Sequence, residues 1–417
     1  MRVPAVIQMM AVAAVACGPV RAEQPAEWPR FRGVEGAGRG DAVDPPRDWR
    51  EATWRWKVPL PGEGHASPVV AAGRIYTASA DEQAGVRTLC CHALADGALI
   101  WRRDLPGPIE PHHAQNSSAS GSVVVGPGGI FWAWGTSDNV RVEAFTVAGE
   151  PRWHADLGRF ESEHGFGASL ATWRDLVIVP IDQDGPSAIV ALDAAGGRER
   201  WRLPRESART SYATPLVIER PDADPLVVLA SNAHGLTGVD PATGRVRWER
   251  RCFPRRTVSS PILVDGRVIA TCGEGGGDNL LVAVRLPPAG AAGGADKPVE
   301  PEIAFQLDRS LAPYVPTPVR AGNRLYLWGD RGVVSCVSAA DGTLLWRGRV
   351  GGTFSASPVV AGDAVVNVSA AGELIALEDG DDFKELGRTD LQEASRASPA
   401  VAGGRIIVRG VGHLFAF

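Results

Sequence analysis

Histidine, arginine and carboxylate side chains recur in short polar stretches between the apolar runs of this 417-residue chain. His65, the pair His112-His113 and His164 would ligate a metal if three imidazoles converged. No spacing such as His-Glu-x-x-His accompanies them, so solvent-exposed histidines without a metal are the expectation. Arg209, Arg255, Arg256 and Arg396 would clamp an anion, a carboxylate or an acidic peptide. Plain solvation of polar loops is the competing and simpler reading. Glu161 and Glu163 are the right types for acid–base work, yet paired carboxylates in an exposed loop are usually only solvated. Asn116, Tyr212, Tyr314 and Phe354 fall in the same stretches. No Ser-His-Asp order, phosphate loop or calcium loop has readable spacing, so no catalytic or cofactor-binding residue is assigned.

These residues are gathered by a repeat. A small residue, then Ser or Thr, then usually Pro opens a run of Val, Ile and Leu. The copies stand at Ser67-Pro68, Ser120-Gly121, Ser169-Leu170, Thr214-Pro215, Ser260-Pro261, Thr317-Pro318, Ser357-Pro358 and Ser398-Pro399. Their spacing of roughly 40 to 57 residues is at and just beyond that of four-stranded propeller blades. One copy shows the unit. Tyr212 to Ile218 reads as strand A, with Pro215 tolerated near the start of an edge strand. Pro225 to Ala230 is strand B and Gly235 to Asp240 strand C. A tight turn at Ala242-Thr243-Gly244 leads into strand D, Val246 to Glu249. The turn Gly stands four positions before a Trp at Gly97/Trp101, Gly149/Trp153, Gly197/Trp201, Gly244/Trp248 and Gly342/Trp346. Each Trp is expected to pack between neighbouring blades as a structural residue.

Two blades depart from the pattern. In the fifth, Phe305 stands where Trp is expected, and Pro287 to Pro301 replaces the turn with a Pro-, Ala- and Gly-rich loop. The seventh carries Asp379-Gly380-Asp381-Asp382 and no Trp, with Phe383 or Leu386 as substitutes. The last blade ends after strand C. Ala52 to Val58, including Trp56, reads as a strand D without a blade, so it is expected to complete blade eight and close the ring. The fold class is therefore all-β: an eight-bladed propeller of four-stranded antiparallel blades, its last blade closed by an N-terminal strand. Loops from each strand D to the next strand A then meet at a central funnel, and the polar residues named above line its rim.

Composition sets further bounds. A net charge of −5 with 22% charged residues is ordinary for a soluble chain and argues against a general nucleic-acid binder. Residues 1–22 read as an export signal: Arg2, an apolar run from Val6 to Ala16, and cleavage after Val20-Arg21-Ala22. The alternative is a lipoprotein box at Ala14-Val15-Ala16-Cys17, with Cys17 lipidated as the membrane link. Residues 23–50 form a lead-in segment and 51–417 the propeller. Cleavage at Ala22 leaves five cysteines, an odd number that cannot all pair within the chain; Cys91 and Cys336 share a repeat position and are expected in the core. Nothing signals oligomerisation, so a monomer is the expectation.

The stretches Ala191-Leu192-Asp193-Ala194-Ala195-Gly196-Gly197-Arg198-Glu199-Arg200-Trp201 and Gly238-Val239-Asp240-Pro241-Ala242-Thr243-Gly244-Arg245-Val246-Arg247-Trp248 carry a likeness. They resemble the repeat of the pyrroloquinoline-quinone-like β-propeller superfamily. Trp28-Pro29-Arg30-Phe31-Arg32-Gly33 is similar to the opening segment of many secreted bacterial propellers of that superfamily. WD40 propellers fit less well, because neither Gly-His nor Trp-Asp appears in register. The resemblance implies one of two functions. One is an envelope scaffold, akin to outer-membrane assembly-factor propellers, whose partners are envelope proteins, peptides or a small polar ligand. The other is a dehydrogenase for alcohols or sugars that binds the quinone with calcium on the axis. The repeat is structural and cannot separate them. The scaffold is the expected one, because the insertions are few and the longest lies in a C–D turn. Cys90-Cys91 resembles the vicinal disulfide of quinoprotein alcohol dehydrogenases, but neighbouring residues of a strand point to opposite faces, so two strand residues are expected.

Overall fold

The computed structural model describes residues 28–40, 46, 49, 54–207, 209–220, 223–275, 277–288, 290 and 298–417. The leader, the Cys17 box and part of the 287–301 loop lie outside the described residues. Eight four-stranded antiparallel sheets make the fold. Their innermost strands are Val69–Ala71, Val124–Gly126, Ala171–Trp173, Leu216–Ile218, Ile262–Val264, Val319–Ala321, Val359–Ala361 and Ala400–Ala402. Seven sheets follow sequence order, while the eighth pairs Ala400–Ala402, Arg405–Arg409 and His413–Ala416 with Trp56–Pro59. The register of that clasp is Trp56 on Ala416, Lys57 on Phe415, Val58 on Leu414 and Pro59 on His413. The Lys57 ammonium sits 4.9 Å from the Phe415 ring and 5.5 Å from that of Trp54.

The repeated Ser or Thr has a physical task. Its backbone N–H donates to the hydroxyl oxygen of the same position in the next blade. Ser398 donates to Ser67 at 2.9 Å, Ser357 to Ser398 at 2.8 Å, Thr317 to Ser357 at 2.9 Å, and Ser260 to Thr317 at 3.0 Å. Thr214 donates to Ser260 at 3.0 Å and Ser122 to Ser169 at 2.9 Å. This girdle corrects the repeat in blade two, where Ser122-Val123 holds the position and Ser120-Gly121 does not. Ser120 instead bonds locally to Ser117.

At the outer side, Trp side chains bridge blades through backbone oxygens. The indole N–H of Trp101 donates to Val147 O at 3.2 Å, that of Trp153 to Ala194 O at 3.1 Å, that of Trp201 to Pro241 O at 2.9 Å and that of Trp346 to Gly380 O at 3.0 Å. Each acceptor lies in the C–D turn of the following blade. Trp101 also covers Gly149, where a Cβ would stand 2.6 Å from the indole and φ is 84°. Glycine is needed there on both counts. Trp56 lies in the same way over Gly97 and Phe305 over Gly342. Trp248 differs: its indole packs beside Gly238 and its buried N–H has no acceptor, while its backbone forms a β-bridge to Val299. The altered turn of blade five removes the carbonyl that the others use. In blade seven, Gly387 occupies the Trp register opposite Ala376. Leu386 packs on the core shared with blade eight, whereas Phe383 turns back onto Trp346 with ring centroids 5.6 Å apart.

Strand C places a small residue opposite each large ring. Cys91 faces Trp101 and Cys336 faces Trp346. Cys90, Cys91, Cys252, Cys272 and Cys336 carry free thiols. Burial pushes the Cys90 and Cys91 thiols up to about 12.

Candidate functional site

The site begins with the lead-in segment, which crosses the base of the ring. Trp28 pairs with Val70 of blade one through two 2.8 Å hydrogen bonds. Val125 of blade two donates to Pro29 O at 2.7 Å, and Val360 of blade seven to Gly38 O at 2.8 Å. The Arg30 guanidinium donates to Pro215 O of blade four at 2.5 Å. The Arg32 guanidinium spans Pro318 O of blade six and Pro358 O of blade seven, each at 2.8 Å. Burial pushes Arg30 down to about 10 and Arg32 to about 9. A segment bonded to blades on opposite sides of the ring must cross the axis. It turns the axial channel into a blind funnel.

That funnel encloses about 520 Å³. Phe31 lies at its base, and the girdle residues Ser67, Ser122, Ser169, Thr214, Ser260, Thr317, Ser357 and Ser398 form its waist. Of the residues expected at the rim, His65, His113, Asn116, His164, Arg209, Tyr212, Arg256, Tyr314 and Arg396 line it. His113 stacks on His164 with centroids 4.4 Å apart, and an Arg256 nitrogen stands 3.2 Å from both His164 ring nitrogens. Asn116 donates to His164 O at 2.7 Å and Phe166 O at 3.1 Å, which fixes the loop carrying that imidazole. Tyr212 and Ser162 share a hydroxyl bond of 2.9 Å, and Arg396 donates to Ser355 at 3.3 Å.

Electrostatics follow from burial and neighbouring guanidiniums. Burial, then Arg409 and Arg396, push the His65 imidazole down to about 4. Burial, then Arg256 and His113, lower His164. Both rings are therefore neutral near pH 7 and do not add to the positive charge of Arg209, Arg256 and Arg396. Glu274 is the only carboxylate among the described lining residues, and Arg255 engages it at 3.5 Å.

Five expected rim residues lie elsewhere. Arg255 points outward to Asp278 at 2.7 Å. His112 turns to Glu82 at 2.7 Å and lines a separate cavity of about 250 Å³ with Glu161. Glu163 stays exposed, 3.5 Å from Arg256. Phe354 is buried against Trp328, with centroids 5.4 Å apart, since its position next to strand A faces the core. Among the described residues no three His, Cys, Asp or Glu side chains converge in a geometry that would hold a metal. Sequence reasoning missed the funnel roles of Phe31, Gln115, Glu274 and the girdle hydroxyls. The girdle was visible as a motif, but its polar atoms carried no sign that they face a cavity.

Residues 138–286 and 305–417 match a PQQ-repeat family described as outer membrane protein assembly factor BamB. The chain belongs to that family. Within this family of propellers, the assembly factor BamB of Burkholderia pseudomallei (strain K96243) is 30% identical over 102 residues. That match covers 24% of this chain and 26% of the relative, so it spans about a quarter of either protein. The crystal structure of BamB from Moraxella catarrhalis superposes with a TM-score of 0.64 at 18% identity, covering 88% of this chain and 99% of that one. Quinohemoprotein alcohol dehydrogenase from Comamonas testosteroni gives 0.65 at 13% identity, covering 94% and 80%. At such identities both likenesses show the propeller fold alone.

The donors present can be tested against the quinone and calcium of the wider superfamily. Calcium takes about six to eight oxygen ligands, with carboxylates prominent. This PQQ-repeat propeller offers one lining carboxylate, already engaged by Arg255, beside three guanidiniums. Among the described residues no indole lines the funnel, because the Trp side chains are spent in blade packing and the base is Phe31. The donor set does not fit a calcium–quinone pair.

Proposed function

We propose that this chain is an exported binding scaffold of the cell envelope. It holds an envelope protein, a peptide or a small polar ligand at the funnel mouth and has no catalytic site of its own. The observation that carries this reading is the funnel lining: donor hydroxyls and guanidiniums with one engaged carboxylate, on a rigid ring whose axis is stoppered. Membership of the assembly-factor family supports it, and so does the leader expected at residues 1–22. The D–A loops are presented on the girdle side, where a partner can dock without disturbing blade packing.

The test mixes the purified chain with detergent-extracted outer-membrane proteins of its own organism and follows co-elution and cross-linking. A stoichiometric complex with a β-barrel assembly subunit, weakened by replacing His113 and Arg209 at the mouth, is the expected result. Turnover of an alcohol or sugar with a dye acceptor, after loading with the quinone and calcium, would overturn the reading.

A further inference from the structure

The funnel waist has a chemical polarity that the scaffold reading leaves unused. Each girdle hydroxyl oxygen of Ser67, Ser169, Ser260, Thr317, Ser357 and Ser398 accepts a backbone N–H from the neighbouring blade. A hydroxyl that has accepted one bond keeps its own hydrogen to donate. None of these six donates to a protein acceptor among the described residues, and all six line the cavity. The ring therefore presents O–H groups to the axis. Above it stand Arg209, Arg256 and Arg396. The Arg256 side chain is 8% exposed, and its Nε has no partner. Its nearest carboxylate, Glu163, is 69% exposed and at 3.5 Å a weak counter-ion. The one carboxylate of the described lining, Glu274, is held by Arg255.

We infer that the funnel is a binding site for a small organic oxyanion of two or more negative charges, carrying carboxylate or phosphate groups. Guanidiniums at the mouth meet the charged oxygens, and girdle hydroxyls donate to the end that reaches the waist. A neutral polyol is disfavoured because it brings no charge to meet the three guanidiniums. A cation is disfavoured by the three guanidiniums. The cavity of about 520 Å³ suits a small organic molecule with a few waters. It continues into a neighbouring groove of about 540 Å³, which shares Glu274, Tyr314 and Arg396 and adds Arg309, Arg331 and Arg347 with one carboxylate, Asp330, whose oxygens accept the Tyr314 and Val315 N–H groups. A longer anion thus has a positive path out of the funnel.

This inference rests on the reading that the funnel mouth is the binding face. Its test is separate from partner co-elution, so either can fail alone. The purified full chain is titrated calorimetrically with citrate, with inorganic phosphate and with glucose. Saturable binding of citrate or phosphate at one site, with none for glucose, is expected. Preference for citrate assigns a carboxylate ligand, and preference for phosphate assigns a phosphate ester. Arg256→Gln and Arg396→Gln should each weaken binding by about tenfold or more, the loss of one charge-assisted contact. Arg209 is exposed, so Arg209→Gln folds even if the Arg256 variant does not, and it should weaken binding in the same direction. Arg200→Gln, on the outer edge beside Asp193, should leave binding unchanged. The inference is overturned if neither anion gives saturable heat, if glucose binds as well, or if Arg396→Gln and Arg209→Gln bind like the parent.

Discussion

Replacing Trp101 tests how blades hold one another. Its side chain is buried at 9% exposure, covers Gly149 and donates to Val147 O. A Trp of this kind removes about 150–250 Å² from water. At about 25 cal/mol per Å² this amounts to ~4–6 kcal/mol against full exposure. Ala keeps the Cβ and the neighbours relax in part, so Trp101→Ala should cost about 4 kcal/mol, in line with large-to-small substitutions in cores. Trp101→Phe keeps most of the packing and loses one hydrogen bond, about 1 kcal/mol. Trp248 supplies the contrast, because its buried N–H has no acceptor. Trp248→Phe removes a desolvated donor that costs about 1–3 kcal/mol, which offsets its lost volume. Its net effect should be near zero. Urea unfolding followed by circular dichroism reads all three variants, provided the slope of the transition is unchanged. If Trp101→Ala costs less than about 1 kcal/mol, or Trp248→Phe costs more than Trp101→Phe, the account of blade packing is refuted.

Three further outcomes are expected. Gly149→Ala should destabilise by about 2–3 kcal/mol in the same assay, because its Cβ would meet the Trp101 indole and its φ is 84°; Gly73→Ala, also at positive φ but with open space, should cost less. Ser398→Ala leaves the Ser357 N–H without an acceptor and should cost about 1–3 kcal/mol, whereas Ser398→Thr, a residue the girdle already uses at Thr214 and Thr317, should be nearly neutral. His65 is held neutral in the fold, with its imidazole at about 4 against an ordinary 6.5. The unfolded chain therefore binds more protons between those values, and this contribution to stability is complete above pH 6.5 and lost as pH falls toward 4. His65→Gln should flatten that part of the melting temperature against pH profile, and an unchanged profile would contradict the assignment.

The ring was legible because its determinants are local and repeated. A Ser or Thr before strand A, a Gly in the C–D turn and a Trp four positions on each report a contact that recurs from blade to blade. Closure was legible for the opposite reason, since Trp56 had no blade of its own. Legibility failed where a residue's partner lies far along the chain. Arg30 and Arg32 bond carbonyls of Pro215, Pro318 and Pro358, and nothing near them in sequence announces a stopper on the axis. Ser120 and Ser122 both suit the motif, and only the bond to Ser169 shows that Ser122 belongs to the girdle. Nine of the residues expected from loop position line the funnel, but loop position carries no orientation. Arg255 and Arg256 are adjacent, yet one meets Asp278 outside and the other faces the funnel. The difference lies in which way one loop residue points, and spacing carries no such information.

Peptide-level hydrogen–deuterium exchange of residues 28–40 and 54–60 tests the closed, stoppered ring most directly. If the lead-in segment crosses the axis and Trp56–Pro59 completes the eighth blade, both peptides should exchange as slowly as the central strands Arg74–Asp81 and Leu176–Ile181. Complete exchange of either peptide within seconds, while those strands stay protected, would mean an open axis or an unclasped ring and would contradict the account.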